Sequence, residues 1–265
     1  MRTIFLIILS LFANSNLYAS TEMIEKAVDN KNRKIENVLR DQYRNPMSTL
    51  SFFEINESMN VLEILPGKGY YTEILANLLK DKGKLTVASF GDDFPIKPLQ
   101  KMHLEFKNYF IKNKQSFGDI EIIDFRNKNY LDKIKDDSID LVVTFRNSHN
   151  WIKMGSAKKI YKSINRVLKK NGILGVVQHK ADKSADESDS LKNGYVQEKS
   201  LINLIENQGF KFISKSSVNR NFKDTKDHPK GVWTLPPTLR LKDVDKEKYL
   251  AIGESDRMTL KFLKD

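Results

Sequence analysis

The chain has 265 residues, 40% of them hydrophobic and 10% aromatic, enough for one large domain or one domain with extensions. It contains no cysteine, which excludes disulfides and cysteine-ligated metals and makes an oxidising compartment harmless. The formal charge of +11 reflects 45 Lys and Arg against 34 Asp and Glu, yet bases and acids alternate, as in KDKGK and KDVDKEK, which argues for a solvated basic surface and against a nucleic-acid patch.

Residues 1–19 read as a targeting segment. Arg2 is followed by an apolar run from Ile4 to Ala13, interrupted only by Ser10; Asn14, Ser15 and Asn16 then break it. The run is about half of the ~20 residues a membrane span needs. Leu17-Tyr18-Ala19 offers a small residue at the cleavage position, and no cysteine follows to make a lipoprotein. The expectation is a signal peptide cleaved after Ala19, export to the periplasm or beyond, and no transmembrane span in the mature chain.

Residues 21–44 carry Met23, Ile24, Val28, Ile35, Val38 and Leu39 at helical spacing, predicting an N-terminal helix packed on the domain. Asn45-Pro46 reads as N-cap and first residue of a short helix over 47–53. The segment 20–56 is thus a helical extension to a domain spanning 57–265. Strands are predicted at 60–65, 84–89, 119–124, 139–145, 173–178, 210–216 and 257–263. Helices are predicted at 70–81, 95–113, 156–170 and 197–208, with Gly83 closing the first. Short apolar strands alternating with helices imply an α/β fold, a doubly wound, mostly parallel seven-stranded sheet covered on both faces.

The stretch 180–193 has Leu191 as its only large apolar residue and reads as a surface loop. Residues 217–256 connect the last two strands. Their first part, 217–240, holds Pro229, Pro236 and Pro237 together with Trp233 and Leu235, large apolar residues that a purely solvated loop does not need. It is expected to fold over the carboxyl ends of the strands as a lid, with Trp233 facing the domain.

The most informative stretch is VLEILPGKGYYT, residues 61–72. An apolar strand carrying Glu63 breaks at Pro66-Gly67-Lys68-Gly69. It then passes into a helix whose Tyr71, Ile74, Leu75, Leu78 and Leu79 share one face. Glycines there let backbone approach a ligand. The dinucleotide pattern G-x-G-x-x-G is not met, since Thr72 stands where its third glycine belongs. Ser89 stands where the ribose-binding acid belongs, with Asp92 and Asp93 nearby. An NAD-type oxidoreductase is therefore the weaker reading.

With its acid inside the first strand, the stretch resembles the first motif of the class I S-adenosylmethionine-dependent methyltransferases, V-L-[DE]-x-G-x-G-x-G. Leu65 takes the place of the first glycine, and Gly67 and Gly69 match the other two. DSIDLVVTFRNSHNW (137–151) resembles that superfamily's fourth strand and its loop, and INRVLKKNGILGVVQHKA (164–181) its helix-to-strand passage. With RDQYRNP, DTKDHPKGVWTLPP and IGESDRMTLKF, the pattern resembles a family of exported predicted methyltransferases over roughly residues 40–265.

The resemblance implies an antiparallel last strand and S-adenosylmethionine as cofactor. It implies that Glu63, Leu65, Pro66, Gly67, Gly69 and Thr72 form the turn holding the cofactor's amino-acid end. Asp124 would lie near the adenine, and Phe145, Arg146 and Asn147 would line the cofactor opposite the turn. Ligands of open α/β sheets bind at the carboxyl ends of strands, which also selects Gln178 to Lys180.

His149, after the fourth strand, is the leading candidate for a base, should the acceptor need to lose a proton. His179 and His228 follow, His103 is given no role, and four scattered histidines argue against a metal site. Trp151, Trp233, Tyr70 and Tyr71 are candidates for an apolar substrate pocket. A small or lipid-like acceptor is expected; the alternative is an exported ligand-binding protein that keeps the fold without turnover.

Overall fold

Alternation along the strands builds the two-sided core of the computed structural model, which describes residues 21–126 and 129–265. In β1 (Asn60–Ile64), Leu62 and Ile64 face one apolar layer while Val61 faces the other. The same split recurs in β4 (Ile139–Phe145), where Val142 opposes Leu141 and Val143. The targeting segment expected over 1–19 lies outside the described residues. Among those described, no helix is long and apolar enough to cross a membrane.

Seven strands form one sheet in the order β3-β2-β1-β4-β5-β7-β6. Beside β1 and β4 these are β2 (Lys84–Ser89), β3 (Ile120–Asp124), β5 (Leu168–His179), β6 (Phe210–Ser216) and β7 (Arg257–Lys264). The pairs from β3 through β5 are parallel, and β7 runs antiparallel between β5 and β6, as expected. Helices α1 (Tyr70–Leu79) and α2 (Lys97–Lys112) cover one face. The short α3 (Ser148–Lys153), α4 (Ala157–Val167) and α5 (Glu198–Glu206) lie with the other.

Several sequence expectations need correction. The N-terminal helix is not continuous: a helical segment, 21–28, is followed by short helices Ile35–Val38 and Asp41–Arg44. Between them, Asn30 accepts from the Asn32 amide at 2.9 Å, a local turn that competes with the helix. Asn45 makes no cap bond to the helix after it. It sits in the left-handed region (φ 41°) and its amide donates to Val218 O at 2.8 Å.

Other boundaries move for similar reasons. Gly83 is needed for close packing, since a Cβ there would lie 2.7 Å from Glu57 O and Met59 O. The helix expected to reach 170 stops at Val167, because Leu168 pairs with Ile139 and begins β5. The surface loop at 180–193 contains a short helix, Glu187–Lys192, capped by Asp186, whose side chain accepts from the Asp189 amide at 2.9 Å. His103, given no role by sequence, is buried against Ser89 Oγ at 3.0 Å.

Candidate functional site

Alternation places Glu63 on the α1 side of the sheet, where Thr72 Oγ1 donates to its carboxylate at 2.6 Å. The chain then turns through left-handed backbone at Leu65 (φ 51°), Gly67 (64°) and Gly69 (88°). Leu65 thus holds the conformation that the first motif glycine would supply. A Cβ on Gly69 would lie 2.9 Å from Phe110, so this glycine lets α2 pack on the turn. At Gly67 a Cβ would meet nothing within 4 Å; that backbone faces open space. Asn147 ties the β4 loop to the turn, donating to Ile64 O at 3.0 Å and Leu65 O at 3.2 Å. Its neighbour Arg146 is also left-handed (φ 65°), and such backbone outliers gather at functional sites.

Above these strand ends lies a cavity of about 340 Å³. Glu63, Leu65, Pro66, Gly67, Tyr70, Tyr71, Phe145, Arg146, Asn147 and His149 line it, together with Trp233 and Pro236 to Thr238 from the 217–240 segment. Tyr71 stacks on Phe145 with centroids 3.6 Å apart and planes 7° apart, a stiff wall. Trp233, from the segment expected to form a lid, borders the cavity with its ring 5.9 Å from that of His149.

Arg44, Arg146 and Glu254 are among the residues that line this cavity. Arg44, Arg40 and Arg257 all reach the Glu254 carboxylate, at 3.0, 2.7 and 3.1 Å. Burial opposes ionisation of Glu254, but the charges of Arg44, Arg257, Arg146 and Arg40 prevail and hold it at about 2. Glu63 lacks such neighbours. Burial drives its carboxyl up to about 8 despite the Thr72 hydrogen bond, so it is protonated at neutral pH.

Burial likewise lowers the His149 imidazole to about 4, only partly opposed by Gln178. The Gln178 amide nitrogen donates to Gly194 O at 3.3 Å and lies 3.2 Å from His149 Nδ1, with the amide oxygen 3.5 Å from the same ring nitrogen. His179 is held well below its ordinary value by burial and then by His149, and its Nδ1 meets Ser255 Oγ at 2.5 Å. His228 lies in the lid root rather than the cavity. Its Nε2 bonds Asp224 at 2.9 Å, and Asp224 also accepts from Tyr195 Oη at 2.9 Å and the Asp256 amide at 2.8 Å.

A second cavity, of about 430 Å³, adjoins the first and shares Leu65, Asn147 and Asn150 with it. Phe90 after β2, Phe125 after β3, and Trp151 in α3 give it aromatic walls. Trp151 is fully buried, its ring 6.0 Å from Phe125, and its Nε1–H has no hydrogen-bond partner among the described residues. Sequence reading assigned Trp151 to the substrate pocket with Trp233; the structure puts the two in different cavities.

The remaining candidates lie behind these linings. Thr72 and Gly69 support the turn from beneath. Asp124 accepts from the Arg126 amide at 2.8 Å beside Gly91, and its neighbour Phe125 lines the second cavity instead. Asp92 is taken by Lys107 at 2.7 Å, and Ser89 by His103. Of the arginines around Glu254, Arg146 was a sequence candidate, whereas Arg40 and Arg44 were missed; their only trace in sequence is the RDQYRNP part of the family pattern.

No family model and no curated protein matches the chain. Solved structures do. A SAM-dependent methyltransferase from Aquifex aeolicus aligns with TM-score 0.58 at 15% identity, covering 92% of this chain and 98% of its own. A putative sarcosine dimethylglycine methyltransferase from Galdieria sulphuraria gives 0.58 at 13%, covering 88% and 87%. The [4+2]-cyclase SpnF gives 0.55 at 15%, covering 89% and 84%. The fold is that of the Rossmann-like methyltransferases. SpnF has the methyltransferase fold under a cyclase name, so the chemistry must be argued from the site itself.

Proposed function

We propose that the chain is a methyltransferase that uses S-adenosylmethionine to methylate a small acceptor, and that residues 1–19 export it. The reading is carried by the two adjoining cavities at the strand ends, one aromatic and one polar, which meet at Leu65, Asn147 and Asn150. That pair suits a ligand with a flat base at one end and a charged amino acid at the other.

The residues present fit that ligand. Phe90, Phe125 and Trp151 offer rings to the base, and the unpartnered Trp151 Nε1–H offers a donor. Gly67 offers bare backbone, and Glu63 a carboxylate for an ammonium group. When bound, S-adenosylmethionine supplies a methyl group on a positively charged sulfur with a neutral thioether as leaving group.

The protein's own share is positioning and exclusion of water. The Tyr71–Phe145 stack and the Asn147 bonds fix the floor, and Trp233 with Pro236 to Thr238 closes the top. Burial makes His149 a weak base, and an acceptor with a free lone pair needs no base.

Calorimetric titration tests the reading. S-Adenosylmethionine and its demethylated product should bind saturably and NAD should not. Gly67→Val should abolish binding, because a branched residue at φ 64° costs about 1–2 kcal/mol and its side chain enters the open space. No saturable heat up to millimolar cofactor would overturn the proposal. The neutral state of both cavity histidines favours a second reading, ligand binding without turnover. Mass-spectrometric detection of a methylated product separates the two.

A further inference from the structure

Three guanidinium groups share one carboxylate at the inner side of the first cavity, and a fourth has none. Arg40, Arg44 and Arg257 all pair with Glu254, whereas the Arg146 side chain makes no hydrogen bond or ion pair among the described residues. Arg44 is 2% exposed and lines the cavity, its guanidinium 4.4 Å from the Tyr70 ring, yet its Nη2 has no hydrogen-bond partner among the described residues, nor has the buried Arg257 Nε. Buried donors left in that state are costly unless a ligand meets them.

Other acids nearby do not balance the charge. Asp41 is engaged by Arg33 at 2.7 Å and by Tyr70 Oη at 2.5 Å. Asp256 is engaged by Arg220 at 2.7 Å and Lys226 at 3.4 Å. Glu63 is buried without a basic partner and protonated.

We propose that this arginine wall binds an anionic group, a carboxylate or phosphate, of the methyl acceptor. The inference rests on the methyltransferase reading and adds the acceptor's chemical class to it. Guanidinium groups match both oxyanions in geometry. S-Adenosylmethionine is itself a net cation, so its entry into a cavity with excess guanidinium is unfavourable until an anion accompanies it. The cofactor's own carboxylate occupies at most part of this cluster, in which Arg44 and Arg146 line the cavity while Arg40 and Arg257 join Arg44 on Glu254. His149 adds a neutral imidazole to the same cavity.

The experiment uses the full chain, with inorganic phosphate as probe and S-adenosylhomocysteine as the cofactor's stand-in. Arg146→Gln removes a charge without orphaning a carboxylate, and Arg44→Gln is the second variant; thermal melts check that both fold. Phosphate should bind wild type saturably, about tenfold or more weakly in each variant, and should not compete with S-adenosylhomocysteine. Phosphate affinity should fall by at least about threefold more than that for S-adenosylhomocysteine in both. No phosphate binding in wild type overturns the proposal. It is also overturned if phosphate displaces S-adenosylhomocysteine and the variants lose that ligand but keep 5′-methylthioadenosine, which lacks the amino acid. The wall then holds the cofactor's carboxylate. If phosphate binds but S-adenosylhomocysteine does not, the methyltransferase reading has failed and takes the acceptor with it, leaving only an anion site.

Discussion

Glu63 and Glu254 line the same cavity, and their surroundings drive them in opposite directions. For Glu63 the folded value of about 8 exceeds the ordinary 4.5, so its contribution is fully present below about 4.5 and is lost as pH rises through 8. The loss amounts to about 4–5 kcal/mol. A bound cation should reverse this. At pH 7, S-adenosylmethionine binding is expected to release up to about one proton, read from the dependence of the calorimetric heat on buffer ionisation. Glu63→Gln should remove that dependence.

Glu254 has the opposite sign. Its value of about 2 lies below 4.5, so its stabilisation, about 3 kcal/mol, is present above about 4.5 and lost as pH falls through 2. Glu254→Gln should cost about 3–5 kcal/mol at neutral pH, because it leaves the buried Arg44 and Arg257 and the partly exposed Arg40 facing one another. Urea unfolding at pH 7 and pH 2.5 should show the variant's deficit shrinking at the lower value.

At the scale of elements, α1 is buried on every side. Its apolar face was legible from spacing, but Glu73 and Asn77 gave no sign of burial. The extension covers them. Asn37 donates to Glu73 at 2.9 Å, the Lys34 amide at 3.2 Å, and Tyr109 of α2 at 3.0 Å. Asn37→Ala should therefore cost about 1–3 kcal/mol, seen as a lower urea midpoint with unchanged slope.

The lid makes a different prediction. Trp233 borders the cavity, while Val232 packs on Ala181 and Tyr195. In Trp151→Phe, which leaves Trp233 as the only tryptophan, emission should shift on saturation with cofactor. An unchanged spectrum would mean that the lid does not take part.

For the molecule as a whole, the elements and fold class followed from local patterns. Alternation marked the strands, 3.6-residue spacing marked α1 and α4, and the glycine turn marked where a ligand approaches. Each depends on residues a few positions apart, so sequence alone determined them. The antiparallel β7 was reached by resemblance, since nothing in RMTLKFL specifies its direction. The tertiary structure alone decided the rest. The arginine wall joins residues 40, 44, 146, 254 and 257, and the aromatic cavity joins Phe90, Phe125 and Trp151 from three separate segments. Charge and burial at such points depend on which distant segments meet there. That is why Glu63 and Glu254, alike as letters in the chain, ionise at about 8 and about 2.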